Sequence, residues 1–392
     1  MCMIQLADFE ERSYHEASAP HFIREENRYT VKATDGYSIG AFQASAPLSD
    51  ADKECLFASV GIATEGERTR ALALLLFFDA EGVKLQSDLL SEHGGTYTAH
   101  VRIPKGAVTV TLELIAYCFS GGSATFCAPD LAEAEPPKDR SFTVASAYIK
   151  REGDREANMQ AIISLIERAG ATEQKPCIVT FTEAVYDLGV KPSLYISEDA
   201  PDVARIREAA KRSGVYVLFT FHEIDTYRHN TAILIDPEGK TVGKYRKVQP
   251  TLGELRLGIV PGEELPVFDL PFAKVGVLIC WDQYFQETAR TLARKGAELI
   301  LWPSRGYHEE RMLTRARDNG VYIVSAHPLP ERCCVAGPAE WRILARGEGE
   351  EGYAAYRIDP DARLVSEYKS FGKNGGNDKE IYLNELRREL YC

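Results

Sequence analysis

Cys280 is the residue of this sequence best placed to do covalent chemistry. It follows the apolar run from Val275 to Ile279, which predicts a buried strand, and an amphipathic helix is predicted from Glu287 to Lys295. A thiol at such a strand-to-helix turn is held rigidly, and nearby main-chain N–H groups can point at a developing oxyanion. Position alone also fits another interpretation, in which Cys280 is a small buried side chain that ends a core strand.

The residues after Cys280 favour the catalytic interpretation. The run CWDQYFQE at 280–287 resembles the nucleophile signature of the nitrilase superfamily, whose members cleave amides, carbamoyl groups or nitriles. Gln286 stands where the family usually has proline. The resemblance implies that Cys280 is the nucleophile and that the backbone N–H of Trp281 completes an oxyanion hole.

The position of the family's general base is matched by Glu183. This residue stands in Val-Thr-Phe-Thr-Glu-Ala, at the end of the predicted strand from Cys177 to Phe181, with Thr182 where proline is common. The resemblance implies a general base, whereas the residue type alone also fits a solvated carboxylate at a strand end.

Two more positions match the family further along the chain. Lys247 ends the run GKYRK at 243–247, after a stretch from Asn230 that resembles the family's Asn-Thr-Ala strand, and Gln249 replaces a usual histidine. Glu254 matches an additional glutamate thought to orient substrate. The other interpretations are a solvated basic face for Lys247 and a loop carboxylate for Glu254. The run RARDNGVY at 315–322 also resembles a helix-to-strand passage of the family.

These residue types can work together chemically. A free thiol titrates near ~8.5, so only a few per cent is thiolate at neutral pH. Glu183 can accept the thiol proton, return it to the leaving amine and then activate water. Lys247 places a cation beside the carbonyl oxygen, where one such donor is worth ~3 kcal/mol of barrier. Lys247 is also expected to favour an ionised Glu183 and a thiolate at Cys280.

The substrate is indicated only by short motifs. Asp282, in place of the glutamate of true nitrilases, resembles the amidase and carbamoyl-amidase branches. Arg305 and Tyr307, after a strand ending near Trp302, are candidate substrate-binding residues. Arg305 could clamp a carboxylate of an acidic or strongly polar substrate, or it could pair with a local acid such as Glu309.

The predicted secondary structure divides the chain into two parts with different patterns. Residues 27–131 read as short alternating strands, which predicts a β-sandwich with a loose resemblance to appended jelly rolls. A 1–26 N-terminal extension precedes it, and a charged, proline-bearing linker at 132–140 follows. Strands and helices alternate in 141–392, which predicts an α/β domain, and the resemblance implies its four-layer α-β-β-α sandwich.

Composition excludes several other classes. The net charge of −12 argues against a broad nucleic-acid or membrane-surface footprint. Apolar runs are too short for a transmembrane helix, and no signal peptide is recognised. The nine cysteines lack zinc-type spacing, and no metal spacing links His222, His308 and His327. Free thiols, a cytoplasmic location, no metal and no cofactor are therefore expected.

Rival functions remain open on the sequence alone. The same residues fit a nitrilase, or a transferase that passes the thioester to an amine. A protein with an inactive hydrolase domain that works through a carbohydrate- or partner-binding sandwich is a third possibility. The resemblance implies a small amide or carbamoyl substrate and a homodimer or larger homo-oligomer.

Overall fold

The computed structural model describes residues 3–14, 16–34, 36–48, 54–150, 153–339, 341–366 and 372–377. The chain divides into two compact units. The first contains the described residues up to Lys138 together with those from Arg363 onward, and the second runs from Asp139 to Ala362.

The first unit is a sandwich of antiparallel strands. Its strands before Lys138 are β1 (Glu10–Ser13), β2 (His21–Glu25), β3 (Arg28–Lys32), β4 (Ser38–Pro47), β5 (Cys55–Glu65), β6 (Arg70–Phe78), β7 (Lys84–Leu89), β8 (Ser91–His93), β9 (Thr96–Arg102), β10 (Thr109–Cys118) and β11 (Ser123–Ala134). One sheet has the order β1-β4-β10-β6-β7 and the other β2-β3-β11-β5-β9-β8. Alternating apolar residues of both sheets, such as Leu112 and Leu56, meet in one core.

The predicted boundaries of this unit differ from the structure in three places. The N-terminal extension contains β1 and β2, which pair with β4 and β3. Strand β11 runs to Ala134, so the predicted linker begins inside a strand. The described residues from Arg363 onward belong to the first unit, where Lys373 and Asn374 donate main-chain hydrogen bonds to β7. These segments pair through backbone groups, which leave little mark on side-chain patterning.

The second unit alternates strands and helices. Its elements are β12 (Phe142–Tyr148), α1 (Arg155–Gly170), β13 (Ile178–Thr180), β14 (Tyr195–Ile196), α2 (Pro201–Ser213), β15 (Tyr216–Ile224), β16 (Arg228–Ile235), β17 (Thr241–Arg246), α3 (Leu252–Arg256), β18 (Val267–Asp269), β19 (Lys274–Val277), α4 (Gln286–Arg294), β20 (Leu299–Pro303), α5 (Glu309–Asn319), β21 (Tyr322–Ala326), β22 (Cys334–Gly337), β23 (Arg342–Arg346) and β24 (Gly352–Ile358). Two short strands, β25 (Val365–Ser366) and β26 (Gly376–Asn377), follow in the first unit.

Two sheets of the second unit pack face to face between helices. The first has the order β17-β16-β15-β13-β12-β24, with β14 beside β15, and the second has the order β18-β19-β20-β21-β22-β23. Their inner faces share one apolar core, to which Leu218 and Val277 belong. The outer face of the first sheet packs on α1 and α2, and that of the second on α4 and α5. This is the four-layer α-β-β-α sandwich that the family resemblance implies.

Thiols and helices in the described part of the chain agree with two expectations from composition. The seven cysteines described there, Cys55, Cys118, Cys127, Cys177, Cys280, Cys333 and Cys334, are free. Each helix described there is too short or too polar to cross a bilayer.

Candidate active site

The predicted site residues follow the ends of three strands. Glu183 lies just beyond β13, Lys247 directly follows β17, and Cys280 lies three residues beyond β19. Strands β13 and β15 are parallel in one sheet, and β19 and β20 are parallel in the other. The carboxyl ends of parallel strands share one edge of a sheet, which is the usual place for a ligand site in α/β folds.

Cys280 begins a short 3-10 turn that ends at Tyr284. Its φ of +45° lies in the left-handed region that non-glycine residues rarely adopt. The buried Trp302 donates an indole hydrogen bond of 3.1 Å to the Cys280 carbonyl, which fixes the turn from behind. Gly306 lies alongside, because a Cβ built there would be 3.8 Å from Cys280 Sγ.

Lys247 is the centre of the charged cluster and is only 1% exposed. Its Nζ donates to Glu183 Oε1 at 3.0 Å and to Glu254 Oε1 and Oε2 at 3.0 and 2.8 Å. Burial alone would lower the pKa of Lys247, but the charges of Glu183, Cys280 and Glu254 together raise it above its usual value. The structure thus brings together three of the predicted catalytic residues around one ammonium group.

Neutral groups complete the binding of the two carboxylates. Asn230, buried in β16, donates from Nδ2 to Glu183 Oε1 and to Glu254 Oε1, each at 2.8 Å. The main-chain N–H of Thr251 donates to Glu254 Oε2 at 2.7 Å, and the two residues form a capping box in which Thr251 is the N-cap of α3. Burial opposes ionisation of Glu254, but Lys247, Asn230 and Thr251 lower its pKa. Asn230 was not among the predicted site residues, although a buried asparagine at the start of an apolar strand is a recognisable signal.

The surroundings of the Cys280 thiol have opposing effects on its pKa. Burial and the negative charge of Glu183 raise its pKa, and together they outweigh Lys247, which lowers it. The sequence predicts that Lys247 favours a thiolate, and Lys247 does lower the pKa, but its effect is smaller than the combined effect of burial and Glu183. Because the pKa of Cys280 is raised, the resting group is a thiol, and any attack by sulfur requires a base to remove its proton.

Trp281 and Asp282 follow Cys280 in the same turn but face different surroundings. The Trp281 ring stacks on Tyr284 with 4.0 Å between ring centroids. Asp282 is 0% exposed, so its carboxylate cannot contact a substrate. The residue that hinted at the amidase branches is therefore part of the interior.

Arg305 has partners that the sequence did not predict. Its Nε donates to the Glu183 carbonyl at 3.0 Å and its Nη2 to the Ala184 carbonyl at 2.9 Å. Glu309, the predicted local partner, instead binds Arg346 at 2.6 Å. Arg305 therefore supports the turn that carries Glu183, where Ala184 has a φ of +45°. These two donor groups of Arg305 are bound to main-chain carbonyls, so they are not available for the predicted clamp on a substrate carboxylate.

Tyr307 and His327 pack behind the Arg305 loop. The Tyr307 hydroxyl donates to Glu309 Oε2 at 2.9 Å, and its ring lies 6.2 Å from that of Trp302. Burial lowers the pKa of His327 to about 4. The neutral ring accepts from the Leu329 N–H at Nδ1 and so donates from Nε2 to the Arg305 carbonyl at 3.1 Å. Both residues stabilise the loop beside Cys280.

Ser304 is a second residue that the sequence did not single out. It is 0% exposed directly after β20, and its hydroxyl, with the main-chain N–H of Arg305, lowers the pKa of Cys280 against the larger effect of burial. We expect Ser304→Ala to shift the pH curve for iodoacetamide alkylation of Cys280 upward by roughly half a pH unit to one unit. Alkylation rates at a series of pH values measure this shift.

Ser325 offers a matched control for that experiment. It is also 0% exposed, lies opposite Trp302 in the neighbouring strand β21, and its hydroxyl has no hydrogen-bond partner in the described part of the chain. Ser325→Ala should leave the curve in place. An unshifted curve for Ser304→Ala would contradict an effect of the Ser304 hydroxyl on the pKa of Cys280.

Comparisons with known proteins identify relatives of this chain. A family model for carbon-nitrogen hydrolases matches residues 143–369. A nitrilase of Pyrococcus abyssi is 30% identical over 234 residues, which cover 56% of this chain and 84% of that protein. An N-carbamoylputrescine amidase of Arabidopsis thaliana is 34% identical over 133 residues, covering 32% of this chain and 44% of its relative.

A solved structure shares the fold of the second unit. It is that of a Saccharomyces cerevisiae member of branch 10 of the nitrilase superfamily, with a TM-score of 0.50 and 25% identity. The match covers 56% of this chain and 91% of the yeast chain.

Proposed function

Because the chain belongs to the carbon-nitrogen hydrolase family of the nitrilase superfamily, we propose that it hydrolyses a small amide or N-carbamoyl amine through a thioester on Cys280. The observation that carries the proposal is the shared ammonium group of Lys247, held at 3.0 Å from Glu183 and 2.8 Å from Glu254. Its charge and that of Glu183 both act on the pKa of the Cys280 thiol. A thiol, a base and a fixed cation are the groups that acyl transfer needs.

In the first half-reaction, Glu183 removes the thiol proton as Sγ attacks the carbonyl carbon. The carbonyl π electrons move to oxygen, where Lys247 and the main-chain N–H of Trp281 stabilise the negative charge. When these electrons return, the C–N bond breaks and the proton held by Glu183 passes to the departing nitrogen. The amine leaves and the acyl group remains on sulfur.

In the second half-reaction, Glu183 takes a proton from a water molecule as its oxygen attacks the thioester carbon. The C–S bond then breaks, and the proton passes from Glu183 to sulfur, which restores the thiol. Glu254 keeps Lys247 in place through both steps, since two of its oxygens accept from Nζ. The sum of the two steps is amide plus water giving acid plus amine.

The N-carbamoyl arm of the proposal has support from a relative. The run CWDQ at 280–283 resembles N-carbamoylputrescine amidases, and one such plant enzyme is among the matches. An N-carbamoyl amine presents the same planar carbonyl carbon and leaving nitrogen as an amide, so it needs no further catalytic residue. A nitrile carbon bears a nitrogen and no oxygen, so a nitrile presents no carbonyl oxygen to the proposed oxyanion hole.

A substrate panel tests the proposal directly. Primary amides, N-carbamoyl amines and nitriles of matched side chain are incubated with the full chain, and released ammonia and amine are measured. We expect turnover in the amide or N-carbamoyl series and none with nitriles. Turnover of nitriles alone would overturn the proposal, as would a product formed only when an acceptor amine is added.

A further inference from the structure

Asp282 holds an unusual position two residues after the candidate nucleophile. Its carboxylate is 0% exposed and accepts three hydrogen bonds. Oδ2 accepts from the Tyr245 hydroxyl at 2.6 Å and from the Ile279 N–H at 2.7 Å, and Oδ1 accepts from the Gln249 N–H at 2.9 Å. A group enclosed in this way acts on the reaction only through the residues that it holds.

The three donors lie on the two segments that carry the proposed chemistry. Ile279 immediately precedes Cys280, whose φ of +45° must be maintained by its surroundings. Gln249 comes two residues after Lys247, and Tyr245 lies on β17 just before it. One carboxylate therefore fastens the turn bearing the thiol to the segment bearing the ammonium group.

We propose that Asp282 is a positioning residue that holds Cys280 Sγ in register with Lys247, and that it does so only as an ionised carboxylate. The catalytic part of this inference rests on the proposed function. The charge requirement follows from the partners, because both oxygens face N–H or O–H donors. A protonated carboxyl, or the amide of asparagine, brings a hydrogen atom to a place where a main-chain N–H already points.

The groups around Asp282 determine when it is ionised. Burial raises the pKa of Asp282 to about 7, although Tyr245, the Ile279 N–H, Lys247 and the Gln249 N–H all act to lower it. Tyr245 stays a donor, because burial and Asp282 raise its own pKa well above the usual value. From α4, the Thr288 hydroxyl donates to the main-chain carbonyls of Asp282 at 3.0 Å and Phe285 at 2.7 Å, so it contacts the backbone of Asp282 and not its carboxylate. Protonation of Asp282 should therefore release the turn as the pH falls through neutrality.

Two variants and two measurements test the proposal. For Asp282→Asn we expect kcat to fall about 100-fold with little change in KM, since a displacement of about 1 Å at the reacting atoms has that effect. For Tyr245→Phe, loss of a hydrogen bond that lowers the pKa of Asp282 should move the acid limb of kcat up by about one pH unit. Activity of Tyr245→Phe should then recover in alkaline buffer, which a general loss of structure would not produce.

Alkylation of Cys280 by iodoacetamide gives a measurement that needs no substrate. Loss of the Asp282 charge without movement would lower the pKa of the thiol and speed alkylation. Displacement of Sγ away from Lys247 raises that pKa and slows alkylation near neutral pH. We expect Cys280 of Asp282→Asn to be alkylated more slowly than that of the wild type. The alkylation rate can be measured even if the protein turns over no amide, so this test does not depend on the proposed function.

Asp88→Asn provides the matched control, because Asp88 is another buried aspartate, 5% exposed, in the first unit. It is bound by Gln86 at 2.7 Å and Arg363 at 3.1 Å. This change should lower thermal stability without altering kcat or the pH curves. The proposal is overturned if Asp282→Asn is alkylated as fast as wild type or faster, or if Tyr245→Phe loses activity equally at every pH.

Discussion

Replacing Cys280 with alanine is expected to reduce hydrolysis of the preferred amide or N-carbamoyl amine by about 10⁴-fold or more, as loss of a covalent nucleophile does elsewhere. Without Sγ no thioester forms, and Glu183 and Lys247 are left to polarise a carbonyl that has no attacking group. Substrate binding should persist, because the charged cluster around Lys247 does not include the thiol. Initial rates of amine release and calorimetric titration of the inactive variant measure the two effects.

Cys177→Ala is the matched control for this loss. Cys177 is a free and partly buried thiol of the same unit, placed just before β13, and burial raises its pKa as well. The control should retain wild-type turnover. Rapid quenching of the wild type should reveal an added acyl mass that the Cys280→Ala protein lacks. Turnover that survives Cys280→Ala would contradict a thioester mechanism.

The raised pKa of Cys280 changes how the nucleophile should be understood. A resting thiolate would react without help, as in sites where a cation dominates the environment of sulfur. Here burial and Glu183 outweigh Lys247, so sulfur keeps its proton until a base removes it. The role we propose for Lys247 is therefore directed at the carbonyl oxygen and at Glu183, and less at the resting thiol.

The sequence was most informative where chemistry is carried by contiguous residues. Cys280, Glu183 and Lys247 each stand in a local run that resembles one family, and the structure brings Glu183, Lys247 and Glu254 within hydrogen-bond distance. The alternation of strands and helices in the second unit likewise predicts the layered fold. Such features are visible because neighbouring residues in the chain share one environment.

Hydrogen bonds between segments that are distant in the chain could not be predicted from the sequence. Arg305 binds carbonyls of the Glu183 turn across a separation of 122 residues. The role proposed for Asp282 depends on Tyr245 and Gln249, which belong to the edge strand β17 of the other sheet and to the segment that follows it. Strand β1 is entirely polar and exposed, so it lacks the alternation of apolar and polar residues from which a strand can be predicted. A cytoplasmic location and homo-oligomerisation stay predictions.

Lys247→Met is expected to affect both stability and activity. Lys247 is 1% exposed and its Nζ is the shared donor to Glu183 and Glu254. Removing one partner of a buried ion pair typically costs about 3–5 kcal/mol, because the remaining charges lie in a poorly solvated place. Loss of the cation beside the carbonyl oxygen should also lower kcat by about 10²- to 10³-fold. Urea denaturation and steady-state kinetics measure the two losses.

The pH dependence of the stability loss identifies its cause. In the wild type the pKa of Glu254 is lowered, so its stabilising contribution is present above its unfolded pKa and is lost as the pH falls through its folded pKa. In Lys247→Met, Glu254 lacks its counterion while its burial remains, so its carboxylate binds a proton more readily than in the unfolded chain. The difference in unfolding free energy between wild type and variant should therefore shrink as the pH is lowered from neutral towards the acid range.

Lys244→Met is the matched control for Lys247→Met. It shows whether the losses of stability and activity follow from removing any paired lysine of this segment or from removing Lys247 in particular. Lys244 Nζ lies 2.8 Å from Glu223, but its side chain is 36% exposed and Arg246 also binds Glu223 at 2.8 Å. A pair of this kind contributes at most about 1 kcal/mol, and Glu223 keeps a partner when Lys244 is removed. We therefore expect Lys244→Met to be nearly as stable and as active as wild type. Equal losses in the two variants would mean that the buried position of Lys247 between two carboxylates has no special role.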